Sequence, residues 1–305
     1  MQEVTRVLIE SYFQSDREQR EIFPVEMGGF PCHCRRNELD WYPDKTIPWH
    51  WHNVFEINYI EDGAMLFQTP DRTFTVHRGE ALFINTGVLH TCTSPDNGDC
   101  TYYTHLFDMH FLSGMYNSVF EEKYFLPVSK NTGFQSWLVK PDSLRHIQML
   151  ESVLHCVELQ RDEPSGYEFD LRTELCSFWR GMLADSAEVR ASTPPRVNAD
   201  TERIKAMMDF IHTHCAERLT LDDIAASASV SRRECTRCFR RCIDSTPNEY
   251  LTACRVRMAA DMLRRTGKSV LDVSEECGFS SASYFGKVFR DAMGVTPREY
   301  RLQNR

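Results

Sequence analysis

A block of sequence near the C-terminus occurs twice. Ser231, Phe239, Arg240, Thr246, Pro247, Glu249 and Tyr250 return as Ser281, Phe289, Arg290, Thr296, Pro297, Glu299 and Tyr300, each 50 residues later. Upstream, Ile224-Ala225 returns as Val273-Ser274 at an offset of 49, so the one-residue difference falls in a turn between helices. A repeat of this length, helical in period, means two copies of one supersecondary unit. Helix-start chemistry recurs with it: Thr220 precedes Asp223 and Ser269 precedes Asp272, each a hydroxyl cap with an acid three residues on. The turns are Ala228-Ser229-Val230 and Gly278-Phe279-Ser280, with Gly278 suited to a positive φ at a helix end. Second helices begin at Ser231, where Glu234 completes another capping box, and at Ser281. Two short helices joined by such a turn make a helix-turn-helix, here over about 221–243 and 270–293.

Side-chain direction separates the faces of the second helices. Cys235, Cys238, Phe239 and Cys242 follow the inward stripe, which leaves Arg232, Arg233, Thr236, Arg237 and Arg240 outside. An exposed arginine face suits a DNA major groove, where Arg bonds guanine bidentately or holds phosphate. In the second copy the outward set is Ser281, Ala282, Ser283, Gly286, Lys287 and Arg290, which is less basic and expected to read fewer bases. Thr246-Pro247-Asn248-Glu249 opens the helix between the copies, and Gly267 closes it. About 19 residues span roughly 28 Å, close to the roughly 34 Å between successive major-groove faces. Charge agrees weakly: from Asn198 onward there are 18 Lys and Arg against 15 Asp and Glu, whereas the first 197 residues hold 17 against 29. A helical interaction domain with solvated arginines is the plainer alternative, and the doubled spacing speaks against it.

The segments Asp272–Phe279, Ser283–Arg290 and Gly294–Arg301 resemble the C-terminal signature of the AraC/XylS family of bacterial transcription regulators, and Arg255, Ala259 and Leu263 fit its linker-helix pattern. The resemblance covers about 100 residues and implies a seven-helix DNA-binding domain, promoter DNA as partner and RNA polymerase as a further one in an activator. Ser274 replaces the family's usual Ala. Asp244 stands where the second copy has Gly294, so a less regular first turn is expected.

The first part of the chain has another period. From about Phe30 to Phe111, short runs rich in aromatic and β-branched residues alternate with turn signals: Asn53–Ile60 before Glu61-Asp62-Gly63, Met65–Thr69 before Pro70-Asp71-Arg72, Thr73–His77 before Arg78-Gly79, and Ala81–Ile84 before Asn85-Thr86-Gly87. This predicts an all-β barrel or sandwich. His50-Trp51-His52, Glu56 and Gly63 resemble the first cupin motif. Gly79 with Asn85 to His90 resembles the second, with Asn85 and Ser94 as departures. The resemblance implies a jelly-roll effector domain. Read as one strand, His50, His52 and Glu56 share a parity and point inward, joined by His90 from another strand. Three nitrogens and one oxygen suit Zn, Fe, Mn, Ni or Cu. The same four residues equally make a polar, effector-binding pocket floor with no metal cofactor, and spacing leaves both readings open. Trp49, Trp51, Phe55 and Tyr59 are expected to pack outside the floor. Phe67, Phe74 and Phe83 are expected to line, with the histidines, a pocket suited to a sugar, although core packing accounts for them equally well.

Between these regions, Leu144, Ile147, Leu150, Leu154 and Val157 predict one helix. Leu175, Phe178, Trp179, Met182 and Leu183 predict another, after the break at Pro164-Ser165-Gly166. The pair is expected to join two subunits in a homodimer, with Ala191–Pro195 as a linker beyond it. The expected fold is therefore α+β and multidomain: a cupin-like barrel over 1–140, a helical hairpin over 141–197 and an all-α DNA-binding domain over 198–305.

No run approaches 18 apolar residues, which excludes a transmembrane helix, and Met1–Gln14 lacks a signal-peptide core. A cytoplasmic protein without membrane partners follows. Its twelve cysteines then read as buried apolar residues rather than disulfides. Cys32-His33-Cys34 lacks the partners of a metal site, Cys235 and Cys238 fill core, and His212 and His214 are expected at the surface without a role. The function expected is a DNA-binding regulator answering a small effector, with a sugar as candidate, and not an enzyme. The alternative is a metal-dependent cupin enzyme with a DNA-binding tail.

Overall fold

The computed structural model describes residues 31–192 and 199–303, which divide into two compact units. Met1–Gln14, Phe30 and Thr193–Pro195 of the expected linker lie outside them, while Ala191 and Ser192 close a helix rather than open a linker.

The first unit is a folded-over antiparallel sheet. Its strands are β1 (Cys32–Glu38), β2 (Thr46–His50), β3 (Phe55–Gln68), β4 (Thr73–His77), β5 (Ala81–Ile84), β6 (His90–Thr93), β7 (Cys100–Phe107) and β8 (Ser136–Val139). One layer runs β1-β7-β3-β5-β8, and the end of β3 pairs with β4 and with β6, which also pairs with β2. Strand β3 belongs to both layers, so Glu61-Asp62-Gly63 is not the expected turn. The register shifts between Ile60 and Asp62, and Gly63, at φ 77°, passes so close to the Asp99 carbonyl that a Cβ would lie 1.9 Å from its oxygen. The bulge bends the strand instead of ending it.

Alternation along these strands fills two cores. Ile60, Met65, Phe67, Leu82 and Ile84 pack inside the folded sheet. Phe55, Ile57, Phe83 and Phe107 face outward onto α3 (Leu144–Asp162) and α4 (Tyr167–Asp185). Two short helices, α1 (Met109–Ser113) and α2 (Leu126–Ser129), precede this hairpin, and α5 (Ala187–Ser192) follows it. Helix α4 buries Leu175, Phe178, Trp179 and Met182 as expected. Helix α3 is rotated from expectation: Met149, Leu150, Val153, Cys156 and Leu159 face the sheet, while Leu144 and Ile147 are 73% and 40% exposed. The helix carries two apolar stripes, and packing against β1 and α4 selects one.

The second unit is helical: α6 (Ala199–His214), α7 (Leu221–Ser227), α8 (Arg232–Ile243), α9 (Pro247–Arg265), α10 (Val270–Glu276), α11 (Ala282–Met293) and α12 (Pro297–Gln303). Reciprocal capping boxes start α7 at Thr220, α9 at Thr246 and α10 at Ser269. At α8 the box is half made. Ser231 Oγ accepts from Glu234 N at 3.2 Å, but the Glu234 carboxylate turns to Arg237 and Arg241. Asp244 takes the left-handed conformation (φ 48°) that Gly294 takes (φ 71°), so the first copy's turn is as regular as the second's. His212 is buried, not at the surface, with Nε2 3.0 Å from the Tyr250 hydroxyl and 3.1 Å from Cys254 Sγ.

Gly278 has φ 75°, and a Cβ there would lie 2.6 Å from Ala216 O. Gly278→Ala is expected to cost about 2–4 kcal/mol from the strained φ and the clash together. The measurement is urea unfolding, with a lowered midpoint and an unchanged slope.

Candidate functional site: a buried histidine–carboxylate cluster and two recognition helices

The corner between β2 and β3 builds the cluster. His50 ends β2, His52 sits in the irregular Trp51–Val54 corner, Glu56 follows in β3, and His90 opens β6 directly opposite His50. The single-strand parity expected for His50, His52 and Glu56 is therefore wrong. Sheet register and the corner bring the residues together instead. All four are at least 94% buried, and one potential ligand atom from each lies within 4.8 Å of the others.

Backbone carbonyls set the tautomers. His50 Nδ1 lies 2.8 Å from Pro48 O, His52 Nδ1 2.9 Å from Val54 O, and His90 Nδ1 2.9 Å from Val88 O. A carbonyl only accepts, so each Nδ1 carries the proton in these bonds and each neutral ring presents its Nε2 lone pair. Two of these nitrogens face one carboxylate oxygen: Glu56 Oε2 is 2.8 Å from His52 Nε2 and 3.3 Å from His90 Nε2. The second contact lacks hydrogen-bond geometry, and His90 Nε2 is a buried nitrogen without a hydrogen bond. Lone pairs converging on a carboxylate are satisfied by a cation between them, either a proton on imidazole or a metal ion. Burial and the adjacent His90 ring hold His50 well below the usual imidazole range, which favours its neutral, ligating form. Burial alone raises the Glu56 carboxyl, but the contacts with His52 and His90 outweigh it and hold it well below the usual range.

Glu56 is also fixed from behind. Asn58 Nδ2 donates to Glu56 Oε1 at 2.9 Å, Thr104 Oγ1 donates to Asn58 Oδ1 at 2.7 Å, and Asn37 Nδ2 donates to Thr104 Oγ1 at 3.0 Å. These hydrogen bonds lead to a small cleft of about 20 Å³, room for about one water, partly open to solvent and lined by Arg35, Asn37, Tyr42, His50, Glu56, His90, Tyr102 and Thr104. Sequence reading missed Arg35, Asn37, Tyr42, Asn58, Tyr102 and Thr104, which come singly from distant strands. Phe83, expected in the pocket, packs against Trp179 on the helix side, whereas the Phe67 ring lies 5.6 Å from that of His90.

In the second unit, Arg232, Arg233, Arg237 and Arg240 are exposed on α8, with Thr236 half-buried, while Cys235, Cys238, Phe239 and Cys242 point inward. Carboxylates hold most of these guanidiniums: Asp222 on Arg232, Glu234 on Arg237 and Glu249 on Arg240. On α11, Ser281, Ala282, Ser283, Lys287 and Arg290 are exposed. So is Tyr284, at 47%, which sequence reading left out. Ser281 Oγ is occupied as the cap of Tyr284 N at 3.2 Å.

Residues 224–303 match the family model described as a helix-turn-helix domain, and residues 40–174 match that of the AraC-like ligand binding domain. A protein of Bacillus subtilis (strain 168), described as the uncharacterized HTH-type transcriptional regulator YdeC, is 30% identical over 297 residues, covering 96% of this chain and 99% of its own length. The HTH-type transcriptional activator RhaS of Enterobacter sp. (strain 638) is 25% identical over 262 residues, covering 85% and 89%. Among solved structures, ToxT from Vibrio cholerae O395 aligns over 90% of this chain and 98% of its own, with 12% identity and a TM-score of 0.46.

Proposed function

This chain belongs to the AraC family of transcriptional regulators, with a DNA-binding domain and a ligand-binding domain, and from that premise we propose how its residues divide the work. The α8 face of Arg232, Arg233, Thr236, Arg237 and Arg240 enters a major groove, where direct readout by arginine is strongest. The α11 face of Ser281, Ala282, Ser283, Lys287 and Arg290 makes a second, less basic contact. The carboxylates on Arg232, Arg237 and Arg240 hold those guanidiniums exposed until phosphate or base edges compete for them.

The barrel cleft takes the effector, and its walls must part to admit one, since the space there holds about one water. Its walls mix Tyr42 and Tyr102 with the polar Arg35, Asn37 and Thr104, and that mixture suits a polar small molecule such as a carbohydrate. A divalent metal held by the Nε2 atoms of His50, His52 and His90 and by Glu56 fits the locked tautomers and the buried His90 nitrogen. When bound, it supplies a Lewis-acidic anchor for an oxygen of the effector. Asn58 keeps Glu56 turned toward the histidines. Effector binding then biases the regulator between states of different DNA affinity, as coupling requires.

The family's regulators give no reason for turnover, so we read the protein as a non-enzyme. A metal-dependent cupin activity is the second reading, and the histidine–carboxylate cluster is the observation that favours it. Leu144 and Ile147 on the outer face of α3 support a homodimer, and an activator's remaining partner is RNA polymerase. Among the described residues no helix is long and apolar enough to cross a membrane, which supports a cytoplasmic location.

The observation that carries this reading is the doubled recognition helix with its exposed arginine face. Arg237→Ala is expected to weaken binding to a duplex selected with the wild-type chain by about 1–3 kcal/mol and to relax preference at one base position. Titration by fluorescence anisotropy measures it, and unchanged affinity and preference would remove Arg237 from base readout.

A further inference from the structure

The two helix-turn-helix units share a backbone at their tight turns but not a residue. Ser229 and Gly278 both have positive φ, 54° and 75°. Ser229 N donates to Ala226 O at 2.9 Å, and Gly278 N donates to Glu275 O at 3.0 Å. The next residues repeat as well, with Val230 N on Ala225 O at 3.0 Å and Phe279 N on Ser274 O at 3.1 Å. Positive φ alone therefore does not demand glycine, since serine meets it in the first copy.

The surroundings differ. A Cβ at Gly278 would meet Ala216 O at 2.6 Å and Cys215 O at 3.0 Å. Those carbonyls belong to the loop that leaves α6 and feeds α7, the first helix of the other unit. The same loop is held from a second side. Arg255, on the connecting helix α9, donates from Nε to Cys215 O at 2.8 Å and from Nη2 to Glu217 O at 2.7 Å. The planar guanidinium thereby takes two carbonyls just past the end of α6. Of three consecutive residues in the first unit's approach loop, Cys215 and Glu217 are bonded by the connector, and Ala216 between them has the second unit's turn packed closely against it.

A connecting helix fixes distance, but it leaves rotation and tilt of the flanking units to other contacts. We propose that Arg255 and Gly278 are positioning residues that lock the two recognition helices in one mutual orientation, and so fix the spacing of two DNA boxes read together. The proposal rests on the reading that α8 and α11 both contact DNA. With the clamp made, the second contact follows the first without further ordering. Without it, the second unit must be oriented anew on every binding event.

The test uses the full chain and a duplex obtained by in vitro selection with the wild type. Derivatives of the duplex have either box scrambled, or the spacing changed by one base pair. Arg255→Met is expected to lower affinity for the intact duplex by about tenfold or more. Affinity for each single-box duplex stays within about twofold of wild type. The penalty for a one-base-pair spacing change, steep in the wild type, largely disappears in the variant. Equal losses on intact and single-box duplexes would make Arg255 a fold-supporting residue only and overturn the proposal, as would an unchanged spacing profile. Wild-type indifference to scrambling either box overturns the two-contact reading itself. Should Arg255→Met not fold, Arg255→Lys keeps the cation and one of the two bonds, and the same spacing profile decides.

Discussion

About one divalent metal per chain is expected in purified, untagged wild-type protein, and none in the His50→Ala, His90→Ala double variant. The size of the effect follows from the ligand count. The cluster offers three nitrogens and one oxygen, and the double change removes two of the nitrogens, leaving His52 and Glu56. Those two lie 2.8 Å apart, close enough to share a single proton in place of a metal. Loss of a residue that only orients a metal ligand costs roughly 10–100-fold in affinity, and loss of two ligands costs more. The tautomer lock matters here. Because Pro48, Val54 and Val88 carbonyls take the Nδ1 protons, the wild-type site needs no ring flip or proton rearrangement to present its lone pairs. A metal that binds only the folded barrel stabilises it by about 4 kcal/mol at a thousandfold excess over Kd. Elemental analysis gives the stoichiometry, and melting with and without chelator gives the linkage. Chelator should lower the wild-type transition and leave that of the double variant in place. Wild-type protein that stays metal-free after reconstitution would make the cluster a polar pocket floor, and a thermal-shift screen of sugars and related metabolites would follow.

Spacing and resemblance single out His50, His52, Glu56 and His90, but parity along a single strand misplaces their backbone. The corner at Trp51–Val54 breaks that strand, and the His50–His90 register restores the convergence. Residue identity survives such an error because the ligands are chosen by chemistry. The pocket walls do not survive it, since Arg35, Asn37, Tyr102 and Thr104 are single residues on β1 and β7, brought together only by strand pairing. The helical unit is more legible in sequence, because a cap and its acid lie three residues apart and both are visible locally. The exceptions among the helices of both units are tertiary. Helix α3 turns its second apolar stripe to the sheet, His212 finds Tyr250 and Cys254 across 38 and 42 residues, and Gly278 needs its lack of a side chain for a contact 62 residues away in sequence.

Phe55→Ala is expected to destabilise the barrel unit by about 3–5 kcal/mol. The side chain is fully buried, and its ring centroid lies 4.7 Å from Trp179, 5.7 Å from Phe83 and Phe107, and 6.4 Å from Phe125. Deleting it opens a cavity among groups held by both the sheet and α4, so little can collapse into the space. Phe55→Leu keeps most of the volume and should cost about 1–1.5 kcal/mol. The strand's alternation puts Phe55 on the helix side and Glu56 on the cleft side, and that links this core to the site. Phe55 pairs with Phe107, and Glu56 pairs with both Leu106 and Ile84, so the frame that aims the carboxylate is the frame that the aromatic core holds flat. Metal retention should therefore weaken in Phe55→Ala even though no ligand is changed. The DNA-binding unit has its own core, around Ala259, Leu263, Phe285 and Phe289. Calorimetry should accordingly show the barrel transition moving down while the helical unit's transition stays, and Phe55→Ala should still bind a selected duplex through α8 below the barrel's melting temperature. A shift of both transitions by the same amount would show that the two cores unfold as one cooperative unit and would sink the expectation of independent transitions.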